Sequence, residues 1–168
     1  MNTDQLFEKA RRSSFSLWML NRVLYRMIPF NKPHGLKVSA LMPEETIVVI
    51  PYKKKNLNHL KGLHACVLIT GAEYCSGLVL LQHLNPRRYR LIMKDLKVTY
   101  HYQAKMEAHA SFGLSSEFIE KNVVEQLKNN ASADIECQIE VRDSQKNHLC
   151  TVVTNWQIKD WQKVKTKM

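Results

Sequence analysis

The sequence has no Cys-x-x-Cys pair, since its four cysteines stand apart at positions 66, 75, 137 and 150. That spacing gives no support to a zinc ribbon or a thioredoxin-like redox site. A serine nucleophile elbow, a phosphate-binding loop, a dinucleotide-binding fingerprint and internal repeats are also missing. The cysteines fall in apolar or strand-like runs, which predicts buried, reduced thiols and hence a cytoplasmic location.

Targeting signals are equally scarce. The stretch from Arg11 to Phe15 resembles a twin-arginine signal, but Arg22 follows too soon for an apolar core, and no cleavage site follows. No uninterrupted apolar run approaches the roughly 18 residues that a membrane-spanning helix needs. We therefore expect neither a signal peptide nor a membrane span.

Acidic residues are few, with 15 Asp and Glu against 25 Lys and Arg, for a formal net charge of +10. This surplus favours an anionic partner, although it is also compatible with a role in solubility alone. No helix-turn-helix or RNP-like signature accompanies the charge, so we expect no nucleic-acid partner. His101 and His109 have no carboxylate or cysteine at ligand spacing, and we expect no metal.

The length of 168 residues suits one domain with a full core, so residues 1–168 are expected to form a single domain. Apolar residues recur at helical spacing from Asp4 to Met27, and Pro29 and Pro33 end this pattern. We predict an N-terminal helix within residues 1–33 and the domain body in residues 34–160. The helix either packs on the body or lies on a membrane surface, as its basic residues and Trp18 also allow.

In the domain body, the chain from Lys61 to His83 is apolar almost all the way round, which predicts a long helix enclosed by the rest of the protein. The strand-like segments alternate apolar and polar residues, as in an antiparallel sheet covered on one side. We predict strands at 36–40, 46–50, 96–104, 106–112, 133–141 and 150–158, and a short helix at 115–130. The fold class is therefore α+β, with a sheet that curls around one buried helix.

One acid interrupts the apolar helix. Glu73 lies among Ile69, Ala72 and Cys75, where an unpaired carboxylate costs several kcal/mol. Burial raises the pKa of such a group, which makes it a useful base near neutral pH. Glu73 is therefore a candidate catalytic residue, unless the helix turns it toward water or a lysine.

The segment before the helix carries a recognisable motif, Asn58, Gly62 and His64, and Glu73 follows nine residues after the histidine. This pattern resembles the hotdog-fold thioesterases of the phenylacetate-pathway type. Those proteins have an asparagine, a glycine and a His-Gly-Gly at the start of the central helix, with a catalytic acid nine residues on. The helix inserted before the last two strands is similar to an uncharacterised thioesterase-related family of the same fold. This chain has His64-Ala65-Cys66 in place of His-Gly-Gly.

The resemblance implies a hotdog fold, a curved antiparallel sheet wrapped around a long central helix. It also implies hydrolysis of acyl thioesters, carried by coenzyme A or an acyl carrier protein, in a homodimer or tetramer with sites between subunits. The N–H of Ala65 would polarise the thioester carbonyl, Glu73 would activate water or attack, and Asn58 would orient either group. His64 would act as a helix cap or as an acid–base group.

Two further expectations follow from this resemblance. Lys61, Arg87 and Arg88 would contact the phosphates of the coenzyme A moiety, which enters as part of the substrate and not as a cofactor. The alternative function is an acyl-binding protein that keeps the fold and the pocket without catalysis, which the altered His64-Ala65-Cys66 favours.

Overall fold

The computed structural model describes residues 3–164, and its core is one six-stranded antiparallel sheet packed on one long helix. The long helix, α4, is Ala65–His83, and it packs against four strands of the sheet. Nearly every part of its circumference is buried, as the all-round apolar composition predicts. The helices and strands, in chain order, are α1 Thr3–Arg12, α2 Ser14–Met27, α3 Asn31–His34, β1 Lys37–Leu41, β2 Glu45–Ile50, α4, β3 Tyr89–Tyr100, β4 Ala108–Gly113, α5 Ser116–Ile119, α6 Glu125–Asn129, β5 Ala133–Asp143 and β6 His148–Asp160.

The strands are arranged in the order β1-β2-β4-β5-β6-β3, with every neighbouring pair antiparallel. Alternate residues of β5 and β6 are buried and face α4, which confirms the predicted one-sided sheet. The expected α+β class and hotdog fold are thus confirmed. By length and composition α4 resembles a membrane span, contrary to our expectation for apolar segments, yet it lies inside the sheet as the core helix.

The N-terminal region forms two helices, so the prediction of one continuous helix from Asp4 to Met27 was wrong. Ser13 lies between them in an extended conformation, and its hydroxyl accepts a hydrogen bond from the N–H of Ser16 at 3.4 Å. Serine favours such capping positions over helix interiors because its side chain competes for backbone hydrogen bonds. The break lets α1 turn back and bury Phe7 and Ala10 in the core.

Asn21 of α2 covers one edge of the sheet. Its side chain donates to the carbonyl of Val38 at 2.9 Å and accepts from the N–H of Val38 at 2.8 Å. The unpaired backbone groups of edge strand β1 are thereby satisfied, which prevents pairing with another strand at this position. The opposite edge, β3, pairs only with β6 among the described residues.

Strand β3 begins at Tyr89 and ends at Tyr100, so the predicted bounds of 96–104 were wrong. A bulge between Met93 and Asp95 shifts the alternation by one residue and hides the first half of the strand from a period-two pattern. Tyr100 and Tyr102 are exposed, and only Ala104 of this predicted apolar face is buried.

Two other boundaries also differ from the prediction. The chain from Lys61 to His64 forms a loop, so α4 begins at Ala65. The predicted surface helix at 115–130 is present, but a π turn at Glu120–Val124 separates α5 from α6. Three of the four cysteines are buried as expected, whereas Cys66 is exposed.

Candidate active site

The loop that leads into α4 is organised by Asn58. Its side-chain oxygen accepts hydrogen bonds from the N–H of Leu60 at 2.9 Å and the N–H of Gly62 at 3.0 Å. Both partners are donors, so the amide orientation is fixed, and its NH₂ group is the part left for another molecule. Asn58 is therefore placed as a hydrogen-bond donor at the start of the helix.

Gly62 lets this loop approach the segment after β3. A Cβ atom at Gly62 would lie 3.2 Å from the carbonyl oxygen of Ala104, which itself accepts the N–H of Leu63 at 2.7 Å. A larger residue would push the loop away from this carbonyl. The glycine of the motif thus serves close packing, and it holds Asn58 beside the first turn of α4.

His64 is the N-cap of α4. Its Nδ1 atom accepts a hydrogen bond from the N–H of Cys66 at 3.1 Å, and its own N–H donates to the carbonyl of Asn56 at 2.7 Å. An accepting Nδ1 places the proton of the neutral imidazole on Nε2. Of the two roles considered for His64, this geometry fits the helix cap.

Ala65 contributes the first N–H of α4. Among residues 3–164 this N–H has no hydrogen-bond partner, because the first N–H groups of a helix lack intrahelical acceptors. Asn58, Ala65 and Leu68 line a pocket of about 340 Å³ with residues of the segment Tyr100–Ala104. We call it the helix-start pocket. A carbonyl oxygen placed there would face both a free N–H and the positive end of the helix dipole.

Glu73 opens onto a different cavity, two turns further along α4. This cavity, which we call the Glu73 cavity, holds about 500 Å³ and its other lining residues are mostly apolar or aromatic. The carboxylate is partly buried, and it has no hydrogen bond or ion pair to any other described residue. Burial raises the pKa of Glu73 above its ordinary value. An acid with these properties can serve as a base near neutral pH.

The wall of the Glu73 cavity is fixed by a polar cluster that the sequence did not reveal. Trp156 donates from Nε1 to the hydroxyls of Ser76 and Thr154, at 3.1 Å each. The Ser76 hydroxyl also lies 3.0 Å from the carbonyl oxygen of Glu73, to which it donates. Trp156 is thereby locked beside Gly77, where a Cβ atom would lie 3.2 Å from the indole. The cavity is shaped by rigid groups.

Within one chain, the two halves of the expected site stay apart. Ala65 and Glu73 are eight residues apart on one helix, which corresponds to about 12 Å along its axis. Asn58, His64 and Ala65 meet at the helix start, whereas Glu73 lines the other cavity. The structure therefore brings together three of the four predicted catalytic residues.

The residues predicted to contact coenzyme A also lie at opposite ends of the core helix. Lys61 is exposed in the loop before α4 with a left-handed backbone (φ 57°), and its carbonyl accepts the hydroxyl of Tyr52. Arg87 and Arg88 follow the other end of α4, some 28 Å away by the length of the helix. Arg88 lies 3.6 Å from the carboxylate of Asp160, and Arg87 is exposed.

A second group near the helix-start pocket escaped the sequence analysis. The rings of His101 and His148 lie 4.4 Å apart, and both share the hydroxyl of Thr151, at 3.0 and 3.1 Å. His101 also lines the helix-start pocket. The strand pattern placed His101 on a polar face, but it could not show that β6 carries His148 alongside it.

Comparison with solved structures identifies the same fold in several bacterial proteins. A Pseudomonas aeruginosa protein of unknown function, called a probable thioesterase, matches with a TM-score of 0.78 at 20% identity, over 84% of this chain and 94% of that one. A Chlorobaculum tepidum protein of unknown function matches with a TM-score of 0.74 at 13% identity, over 94% of this chain and 96% of that one. A Haemophilus influenzae thioesterase matches with a TM-score of 0.67 at 14% identity, over 86% of this chain and 90% of that one.

At the level of sequence, no curated protein matches the chain significantly. A family model does match, and its description is a domain of unknown function, DUF4442. The match covers residues 16–158, which include most of α2, all six strands except the last two residues of β6, and the whole core helix. The chain therefore belongs to the DUF4442 family, on a hotdog fold that it shares with bacterial thioesterases.

Proposed function

We propose that the protein is an acyl thioester hydrolase. The observation that carries the proposal is Glu73, an unpaired carboxylate with a raised pKa at the wall of an apolar cavity of about 500 Å³. Such a cavity suits an acyl chain, and a base at its wall suits attack of water on the carbon next to that chain. The thioesterases among the solved structures of the same fold support this reaction class.

The helix-start pocket supplies the complementary half of the chemistry. The free N–H of Ala65 and the NH₂ of Asn58 are donors for the thioester carbonyl oxygen, which becomes negatively charged when water adds. Glu73 takes a proton from the attacking water. Collapse of the tetrahedral intermediate breaks the carbon–sulfur bond, and the proton goes to the leaving thiolate, to give a carboxylic acid and a free thiol.

We further propose that two chains complete each site. The separation of Ala65 and Glu73 on one helix prevents them from acting on the same carbonyl. The free edge of β3 is 12 residues long and exposes Ile92, so it offers a pairing surface to a second copy. Each site of the dimer would combine Asn58 and Ala65 of one protomer with the partner subunit's Glu73. Oligomer size by analytical ultracentrifugation tests this assembly.

In the same assembly, Lys61, Arg87 and Arg88 would hold the phosphates of coenzyme A or the acidic surface of an acyl carrier protein. Lys61 lies in the same loop as Asn58, which lines the helix-start pocket where the thioester would be bound. Arg87 and Arg88 would contact the substrate at the other site of the dimer, the one that contains Glu73 of their own chain. We propose a cytoplasmic location, since none of the four cysteines is paired.

One observation favours the alternative function, an acyl-binding protein without catalysis. The N–H of Cys66 is occupied by His64, so Ala65 provides the single free N–H of the first two residues of α4. With fewer donors for the oxyanion, hydrolysis would be slow while an acyl chain still binds.

The deciding experiment incubates the protein with acyl-CoAs of graded chain length and measures the release of free thiol. Glu73→Gln should lose nearly all turnover, whereas Glu117→Gln, at an exposed acid of α5, should keep it. Binding of acyl-CoA without release of thiol would support the alternative. Wild-type turnover in Glu73→Gln would refute Glu73 as the base.

A further inference from the structure

The outer face of α2 combines aromatic, apolar and basic side chains. Three- and four-residue steps connect Phe15 to Trp18 and Met19, these two to Arg22, and Arg22 to Arg26, so all five lie on one side of the helix. Phe15 is 69% exposed and Trp18 is 54% exposed. Surface helices normally present polar and charged residues to water, so this composition requires another explanation. We call this set the basic–aromatic face.

Contacts between α2 and the rest of the protein keep this face directed toward solvent. Leu20 and Leu24, on the opposite side of α2, are buried in the core. Asn21, next to them, is bonded to both backbone groups of Val38 on β1. The helix cannot roll to hide Phe15 or Trp18 without breaking these bonds and exposing both leucines. Exposure of the basic–aromatic face is therefore built into the fold.

The aromatic and basic groups of this face are organised together. The rings of Phe15 and Trp18 stack at 5.8 Å, and the guanidinium of Arg22 lies 5.8 Å from the centre of the Trp18 ring. Met27, the last residue of α2, and Phe30, three residues after it, are 71% and 63% exposed, and they add to the exposed apolar area of the same N-terminal region. The basic–aromatic face thus exposes three apolar side chains, Phe15, Trp18 and Met19, next to the cations Arg22 and Arg26.

The charge of the region is of one sign. Between Glu8 and Glu44 the sequence has no acidic residue, and it has seven basic ones: Lys9, Arg11, Arg12, Arg22, Arg26, Lys32 and Lys37. Arg22, Arg26 and Lys32 converge on one groove of about 340 Å³, beside Trp18 and Tyr25. A groove with three cations and aromatic walls has the chemistry that an anionic headgroup needs.

We propose that the basic–aromatic face docks the protein on the surface of an anionic phospholipid bilayer. Aromatic side chains favour the boundary between headgroups and acyl chains, and arginines bind the phosphates above it. The complete lack of acidic side chains along this stretch favours a negatively charged surface over a second copy of the same basic chain. An acidic protein would satisfy the charges, but a flat bilayer also accepts the exposed apolar side chains of this face without a matching pocket.

The chain segment that follows the docking surface reaches the Glu73 cavity. Ile28 and Asn31, which directly follow α2, line that cavity together with Glu73. Contact with a bilayer would place one wall of the cavity near the lipid, where long acyl chains are concentrated. The docking itself is independent of the proposed hydrolysis, since vesicle binding involves no turnover.

The test is flotation of the full chain with vesicles of pure phosphatidylcholine or of equal parts phosphatidylcholine and phosphatidylglycerol. We expect binding to the mixed vesicles that weakens as salt rises, and a blue shift of tryptophan fluorescence from Trp18. Failure of the chain to float with the mixed vesicles would overturn the proposal. So would competition by soluble coenzyme A that removes all binding, because this would assign the cations to nucleotide phosphates.

Variants locate the contact. Arg22→Gln with Arg26→Gln should weaken partitioning by roughly thirtyfold, since each basic residue near an anionic surface contributes about fivefold. Trp18→Ser with Phe15→Ser should abolish the fluorescence shift. The matched controls are Lys121→Gln with Lys128→Gln, which removes the same charge from exposed positions of the helical segment 116–129, and Phe118→Ser, which removes an exposed ring there.

Equal weakening by the lysine pair and the arginine pair would overturn the proposal, because net charge alone would then explain binding. A change of oligomer size in Trp18→Ser, measured by ultracentrifugation without vesicles, would assign the face to a second copy instead. Unchanged thiol release from soluble acyl-CoA in the arginine variant, with lost vesicle binding, would support docking as a separate activity.

Discussion

The Nδ1 atom of His64 accepts a hydrogen bond from the N–H of Cys66, 3.1 Å away, and so closes the first turn of the core helix. His64 thus caps the N-terminus of the helix, as serine or asparagine does in many other helices. It also leaves the neighbouring N–H of Ala65 as the free donor of the turn. The stability of α4 and the chemistry of its first residue therefore depend on the same side chain.

If His64 is a cap, a residue that can replace the cap should replace the histidine. His64→Ala should lower the free energy of unfolding by about 1 kcal/mol, whereas His64→Asn should stay within a few tenths of wild type. Thiol release should follow the same order, with His64→Asn close to wild type. Denaturant unfolding and acyl-CoA hydrolysis measure both. A loss of turnover in His64→Asn at full stability would show instead that the imidazole takes part in the chemistry.

Glu73 should make the stability of the protein depend on pH. Its pKa is raised in the folded state, so between its ordinary value of 4.5 and that raised value the folded chain binds the extra proton. Folding is then favoured at acid pH, and this contribution is lost as pH rises through the folded pKa. Glu73→Gln cannot ionise, so it should be more stable than wild type at pH 8 and not at pH 4. Denaturant unfolding across this range measures the difference, with Glu117→Gln, at an exposed acid of α5, as the matched control.

The parts of the fold that could be predicted are those whose sequence pattern is complete within one helix or strand. The core helix was recognisable because it is apolar on every side, and β5 and β6 because their alternation is unbroken. The first half of β3 was missed because a bulge shifts its alternation. The break at Ser13 was missed because the apolar spacing continues across it, and a single serine cap decides against the longer helix.

The site shows the same limit more clearly. Spacing along the chain singled out Asn58, His64, Ala65 and Glu73, and geometry places the first three around one helix end. Spacing gave no sign that Glu73 faces a separate cavity. The direction of a side chain on the core helix relative to the cavities depends on which strands and loops pack on each side of that helix. The cluster of Ser76, Thr154 and Trp156 and the pairing of His101 with His148 join residues 47 to 80 positions apart. Only the tertiary fold brings such groups together.

Gly77 should control the length of the acyl chain that the Glu73 cavity accepts. In Gly77→Ala the new methyl would lie 3.2 Å from the Trp156 ring and take up space beside the cavity. We expect kcat/KM to fall more for long acyl-CoAs than for short ones. Trp156→Phe removes the ring atoms in contact, so in the double variant this preference should relax. A uniform fall across chain lengths would mean that Gly77 does not shape the acyl site.

Lys61 combines an unfavourable backbone with the proposed phosphate contact. Its φ of 57° is left-handed, a conformation that costs a lysine about 1 kcal/mol more than a glycine. Lys61→Gly should therefore stabilise the fold while it raises KM for acyl-CoA. Lys61→Gln should raise KM equally without the gain in stability, because it removes the charge and keeps the strain. Unchanged KM in both variants would remove Lys61 from the substrate site.

Cys66 should be the one thiol that reacts in the native protein. It is exposed at the start of α4, whereas Cys75, Cys137 and Cys150 are buried. Burial raises the pKa of Cys137 and of Cys150 to about 12, which further suppresses their reactivity. A maleimide should label one cysteine before unfolding and four after it, as counted by mass spectrometry. Because Cys66 adjoins the free N–H of Ala65, labelling should also block thiol release, and Cys66→Ser should protect against the reagent. Full activity of the labelled wild type would place the thioester carbonyl away from this end of the helix.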